Sequence, residues 1–140
     1  MEITRLLYIA ARLIAAVIML QTLYFKFTAA PESVYIFTTV GMEPWGRIGV
    51  GMAEAVASAL LLFTPTAWLG AGISLGLMAG AMGMHFTVLG IEVQGDGGYL
   101  FFLALTVALC SAFVLWIDQQ KVMNVVEKYL GRDNRDNPTA

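Results

Sequence analysis

Five polar side chains of this 140-residue chain lie within or beside long apolar stretches, at one shared depth along the helices that those stretches predict. They are Gln21, Lys26, Arg47, Glu54 and His85. Cations at one site favour the anionic form of a bound head group, and a carboxylate or an imidazole can carry its proton. An unpaired carboxylate inside a membrane helix costs about 2.5–3.5 kcal/mol. We therefore expect Glu54 to pair with Lys26 or Arg47, and the five residues to form a substrate-binding site.

Four apolar stretches position these residues. A membrane helix needs about 20 mostly apolar residues, and no charge interrupts the chain between Glu54 and Glu92, a segment long enough for two such helices if Pro65 breaks it. The predicted spans are residues 6–26, 47–64, 67–89 and 99–117. Hydrophobic residues make up 59% of the chain and charged residues 13%, against about 25% charged in soluble domains. The sequence predicts an all-α polytopic membrane protein, a four-transmembrane-helix bundle in a single domain at 1–120, followed by a C-terminal tail at 121–140.

Several kinds of chemistry are excluded by composition. The net charge of −2 does not provide the basic face that nucleic-acid binding requires. Cys110 is the only cysteine, so no Cys-x-x-Cys pair is present for thiol–disulfide exchange. Met78, Met82 and His85 share a helix face, which is one way to hold Cu(I), but methionine stripes are usually packing. We predict no metal site, and no cofactor motif is evident other than a possible quinone site.

Charged and small residues recur every seven or so positions on the first two membrane helices. One stripe contains Arg5, Arg12, Met19 and Lys26, and the other contains Arg47, Gly51, Glu54 and Ser58. Ionisable groups inside a membrane normally face the bundle interior and pair with one another, so the two stripes should face each other. Arg12 lies about 21 Å along the helix from Lys26. We therefore expect a separate structural pair between Arg12 and Asp118.

The cations predict the orientation. Arg5 precedes the first span, and Lys121 and Lys128 follow the last. The positive-inside rule then places both termini in the cytoplasm. In a bacterium, this predicts a protein of the inner membrane. A signal peptide is the alternative interpretation of the first apolar stretch. The length of this stretch and Arg12 within it favour a membrane helix.

The connection between the first two spans has helix signals of its own. Pro31 suits a helix start and Gly41 a helix end, and apolar residues lie between them. We predict a short interfacial helix between membrane helices 1 and 2, over the outer mouth of the bundle, with an ordered loop as the alternative. The polar segment 131–140 is predicted to be disordered.

Three glycines of the third membrane helix follow one another in four-residue steps, at Gly72, Gly76 and Gly80. Such a stripe lets another helix approach closely. It predicts a packing surface for a neighbouring helix or for a second subunit of a homo-oligomer.

Taken together, these residues resemble the DoxX-like family of small four-helix membrane proteins over positions 12–118. The matching features are Arg12, Lys26, a Pro-Glu-Ser segment at 31–33, a Gly-Met-x-Pro turn at 41–44, Glu54 and His85. Members of that family include the small subunit of an archaeal thiosulfate:quinone oxidoreductase and components of membrane redox or detoxification complexes.

The resemblance implies a membrane subunit of an oxidoreductase or detoxification system, with an outer-half site for a quinone or small polar substrate. A soluble or membrane partner would carry the redox centres. Two other functions remain open from the residues: a small proton-coupled transporter that uses Glu54, and a non-catalytic assembly or scaffold protein whose polar cluster only fixes the bundle.

Overall fold

The computed structural model describes residues 1–131 and is helical through most of that range. The helices are α1 (Glu2–Phe27), α2 (Pro31–Thr39), α3 (Trp45–Leu62), α4 (Ala67–Met84), α5 (Tyr99–Ile117) and α6 (Gln119–Leu130). A 3-10 turn at Thr64–Thr66 leads into α4, and a π-helical turn at His85–Leu89 continues it. The disorder predicted for 131–140 falls almost wholly outside the described residues.

Four of these segments are long and apolar enough to cross a membrane, as predicted. They are Glu2–Phe27, Trp45–Leu62, Thr64–Leu89 and Tyr99–Ile117, with mean hydropathies of 2.0, 1.2, 1.4 and 2.5. They form a ring in which α1 packs on α3 and α5, and α4 packs on the same two helices. The predicted all-α four-helix bundle is therefore present.

Small side chains bring these helices together. Ala15, Ala16, Ser58, Ser74 and Ser111 are fully or almost fully buried at the centre. At one crossing a Cβ added to Gly70 would lie 2.6 Å from the Leu61 backbone nitrogen, so only glycine permits the contact between α3 and α4. Close approach through small residues is how membrane helices gain packing energy.

The two predicted polar stripes face the bundle interior except at Arg5, which is exposed. Arg12 and Met19 of α1 are buried, as are Arg47 and Glu54 of α3. Since α1 and α3 are neighbours in the ring, the seven-residue spacing correctly placed the stripes opposite each other.

Arg12, however, does not form the predicted pair with Asp118. Its guanidinium donates to the main-chain oxygen of Leu61 at 2.7 Å, to that of Leu62 at 2.9 Å and to the Thr64 hydroxyl at 3.0 Å. The last carbonyls of a helix have no partner within that helix, and its negative end favours a cation. Arg12 therefore caps the end of α3 from the neighbouring helix.

Asp118 has partners of its own. It accepts a hydrogen bond of 2.6 Å from the Tyr8 hydroxyl and lies 2.7 Å from Lys121 Nζ. The Tyr8 ring in turn lies 5.3 Å from the Arg12 guanidinium carbon. The two residues predicted to be a pair are thus connected only through Tyr8.

Two shorter helices accompany the four long ones within residues 1–131. The predicted helix between the first two spans is present as α2, which begins at Pro31 and is followed by Gly41 with φ +74°. It contacts α1, α3 and the π-helical turn, so it covers one end of the bundle. The second, α6, was not predicted: it occupies most of the segment before residue 131 that the sequence assigned to a tail.

Candidate functional site

A cavity of about 680 Å³ occupies the half of the bundle next to α2. All four membrane-type helices, α2, the π-helical turn and the connection to α5 contribute to its wall. Most of that wall is apolar, with residues such as Ile18, Leu77 and Leu103. The polar groups in it are few, and their partners decide what the cavity can do.

The central polar feature is an ion pair between α1 and α3. Lys26 Nζ lies 2.9 Å from Glu54 Oε2, and Glu54 is only 3% exposed. Both residues line the cavity. This confirms the prediction that Glu54 pairs with one of the two nearby cations.

Thr22 is a third member of this cluster, and sequence reasoning missed it. Its hydroxyl lies 3.3 Å from the same Glu54 oxygen, and the residue lines the cavity. The predicted Gln21 is exposed and does not line the cavity. Positions four apart share a helix face, so the spacing of Thr22 and Lys26 was the available signal for the residue that faces inward.

Arg47 is buried, but it is not a cavity residue. Its guanidinium pairs with the Glu43 carboxylate one helical turn away, at 2.8 Å, and it also donates to the main-chain oxygen of Lys26. The structure therefore does not bring Arg47 to the cavity with Lys26, where the sequence predicted it. Arg47 holds the start of α3 against the end of α1, where the Lys26 backbone lies.

His85, one of the predicted site residues, lines the cavity from the π-helical turn. It is 5% exposed, and its Nδ1 lies 2.7 Å from the Gly90 main-chain oxygen. A carbonyl only accepts hydrogen bonds, so Nδ1 carries a proton, and Nε2 accepts hydrogen bonds when the ring is neutral and donates when it is protonated. Nε2 has no hydrogen-bond partner among the described residues. Single π-helical turns are frequent at functional sites.

Asp96 is a further cavity residue that the sequence did not single out as functional. Its carboxylate accepts hydrogen bonds from the backbone nitrogens of Val93 at 2.9 Å, Gly98 at 2.8 Å and Leu100 at 3.0 Å. Partial burial acts to raise the pKa of Asp96, but these three hydrogen bonds, together with the nearby His85, lower it below its ordinary value. Asp96 stabilises the connection and the start of α5.

The arrangement suits a molecule with a small polar head and an apolar body. Lys26 offers donors, the oxygens of Thr22 and Glu54 offer acceptors, and His85 Nε2 offers either according to its protonation. Apolar side chains cover most of the remaining wall. No cluster of three or more histidine, cysteine, aspartate or glutamate residues that could hold a metal ion occurs within residues 1–131.

Comparisons of the chain with protein-family models, with curated proteins and with solved structures found no match. Membership of the DoxX-like family therefore stays a prediction from the residue pattern. The function is therefore inferred from the cavity and its polar groups.

Proposed function

We propose that this chain is a multi-pass protein of the bacterial inner membrane that binds a quinone, or a molecule built like one, as the membrane subunit of an oxidoreductase or detoxification system. The observation that carries the proposal is the Lys26–Glu54 ion pair, which lines a largely apolar cavity instead of being packed over. The oxidoreductase context comes from the DoxX-like residue pattern.

The chemistry asked of each residue is modest. Lys26 donates to a carbonyl oxygen of the head group and favours its reduced, anionic form, since charge-assisted hydrogen bonds are the stronger ones. Reduction of a quinone to a quinol takes up two electrons and two protons. In this proposal the electrons come from a redox partner and the two protons come from water: His85 Nε2 and the Glu54 carboxylate each take up a proton and pass it to a quinone oxygen.

A proton-coupled transporter with Glu54 as its proton site is less well supported. Its carboxylate already has the Lys26 ammonium as a partner at 2.9 Å, so a cationic substrate would compete with a tethered cation. A scaffold whose polar cluster only fixes the bundle would not need a cavity of about 680 Å³ beside that cluster.

The test is binding of a short-tailed quinone to the purified protein in lipid nanodiscs. We expect saturable binding to the wild type and at least tenfold weaker binding to Lys26→Ala and Glu54→Gln, because a hydrogen bond to a charged group contributes about 1.5–3 kcal/mol. The matched control is Gln21→Ala, an exposed position on the same helix, which should bind like the wild type. Absence of saturable binding to the wild type would refute the proposal.

A further inference from the structure

The glycine stripe of α4 does not pack against another helix within the described part of the chain. Gly72, Gly76 and Gly80 are exposed, and a Cβ added to any of them would meet no atom within 4 Å. Gly70, two residues before Gly72 and on the side of α3, is in tight contact with that helix. The helices α3 and α4 therefore touch at Gly70 and leave the stripe uncovered.

Two of the three glycines also belong to the cavity wall. Gly76 and Gly80 line the cavity, whereas Gly72 does not. On the other side, α3 contributes Val50 and Glu54 to the same wall. A residue that is both exposed and part of the wall marks a place where the cavity reaches the outer surface of the bundle.

The end of the bundle next to α2 is a more polar route, because the exposed wall residues there include Glu32 and Gln94. Phe37 of α2 is 6% exposed and lines the cavity from that end, together with Ile36 and Ser33. An apolar chain that starts at the Lys26–Glu54 pair and leaves through the glycines would meet mostly apolar wall along its path.

We propose that Gly76 and Gly80 form a side opening between α3 and α4, through which the apolar tail of a bound molecule extends from the cavity into the bilayer while its polar head lies at Lys26 and Glu54. This inference rests on the proposed function and narrows it: the ligand is a lipid-tailed molecule such as an isoprenoid quinone, not a small water-soluble substrate. His85 supports a ligand there, since it is 95% buried, lines the same cavity and has an Nε2 without a partner among residues 1–131.

The volume of the cavity agrees with a ligand whose head group lies inside the protein and whose tail extends out of it. Pockets of about 300–1,000 Å³ bury most of one drug-sized molecule, and this cavity measures about 680 Å³. A ring head group and the first part of a tail fit within it. A tail of many isoprenoid units does not, so the remainder must leave the protein.

The experiment compares two ligands that share one quinone head, one with a long isoprenoid tail and one with no tail, in nanodiscs. Gly80→Trp places a large side chain in the side opening, and the space around the added Cβ lets the helix accept it. We expect Gly80→Trp to weaken binding of the long-tailed ligand at least tenfold and to leave binding of the tail-free ligand within about twofold. Gly76→Leu is a second, smaller obstruction with the same expected direction.

The matched control is Gly72→Trp. It lies on the same stripe with the same open surroundings but outside the cavity wall, and it should bind both ligands like the wild type. Equal effects of Gly72→Trp and Gly80→Trp would overturn the side opening. So would a shift of all three glycine variants from dimer to monomer, which would make the stripe a helix–helix interface.

Different results would refute the side opening and the proposed function. If Gly80→Trp binds the long-tailed ligand normally while Lys26→Ala and Glu54→Gln still lose both ligands, the head-group site is right and the opening is wrong. If Lys26→Ala and Glu54→Gln bind the tail-free ligand like the wild type, the head-group site itself is wrong.

Discussion

Lys26 Nζ lies 2.9 Å from Glu54 Oε2, so a buried charge pair joins the last turn of α1 to the middle of α3. A buried ion pair is weak evidence for stability, because desolvation of the two charges offsets much of their attraction. This pair lies at a cavity wall, where a ligand can reach both charges. The contribution of the ion pair to stability and its role in ligand binding can therefore be tested separately.

Removing only the cation should destabilise the bundle. Lys26→Met leaves the Glu54 carboxylate, 3% exposed, without its partner, and we expect the free energy of unfolding to fall by about 3–5 kcal/mol. In the double variant Lys26→Met/Glu54→Leu neither charge remains, and stability should return to near the wild-type value. Unfolding in mixed micelles measures both.

The same double variant separates binding from scaffolding. It should be folded and yet bind no quinone, since the donor and the acceptor are both gone. A stable double variant that retained full binding would show that the ion pair is only structural.

The cap that Arg12 forms on α3 predicts a second stability effect. Arg12→Ala leaves the Leu61 and Leu62 carbonyls without their donor, and each buried unsatisfied group costs about 1–3 kcal/mol. Arg12→Lys should restore little, because one ammonium does not reproduce the planar guanidinium that reaches three acceptors. Asp118→Asn should leave this cap intact. Thermal unfolding measures the loss of stability in each of the three variants and so tests the expected order. A loss for Asp118→Asn as large as that for Arg12→Ala would favour the pairing that the sequence predicted.

Sequence periodicity predicted the helices and the buried stripes, because membrane helices must satisfy simple rules of length and of interior charge. It did not predict which acceptor each cation chooses. Arg12 donates to main-chain carbonyls, and Arg47 pairs with Glu43 one turn away. Neither partner could be predicted without knowing where the helix ends lie in space. Gln21 was predicted as a site residue and Thr22 was not, although the four-residue spacing to Lys26 favoured Thr22.

The Asp96 carboxylate predicts a local dependence on pH. Its pKa in the folded protein lies below the ordinary value of 3.8, so its contribution to stability is complete above that value and is lost as the pH falls through the lowered pKa. Relative to the intrinsic exchange rate at each pH, we expect the protection of the Val93, Gly98 and Leu100 amides to fall as the pH is lowered below 3.8. In Asp96→Asn the protection of these amides should already be low at neutral pH and should change little on acidification. Identical pH profiles for the variant and the wild type would contradict this assignment.

The distribution of cations predicts the topology. Reporter fusions after residue 120 should read cytoplasmic, and fusions between Glu92 and Gly98 should read periplasmic. The cavity, Asp96 and α2 would then face the periplasmic half of the membrane. The opposite result would place the same cavity in the cytoplasmic half and would change where a redox partner must be sought.

The last helix predicts a contact with the membrane surface. α6 follows α5 after the single residue Asp118, so it starts where a membrane span ends. Two of its residues, Val122 and Val125, are half-buried against the bundle, while the apolar Met123 and Val126 on an adjacent sector are exposed.

The polar residues of α6 lie on the remaining sector, at Gln120, Asn124 and Lys128. An amphipathic helix of this kind lies in the membrane interface with its apolar face towards the acyl chains. Spin labels at positions 123 and 126 should therefore be accessible to oxygen dissolved in the bilayer, and labels at 124 and 128 to a water-soluble nickel reagent. Equal access of the nickel reagent to all four positions would show that α6 extends into the cytoplasm and that its apolar sector has another partner.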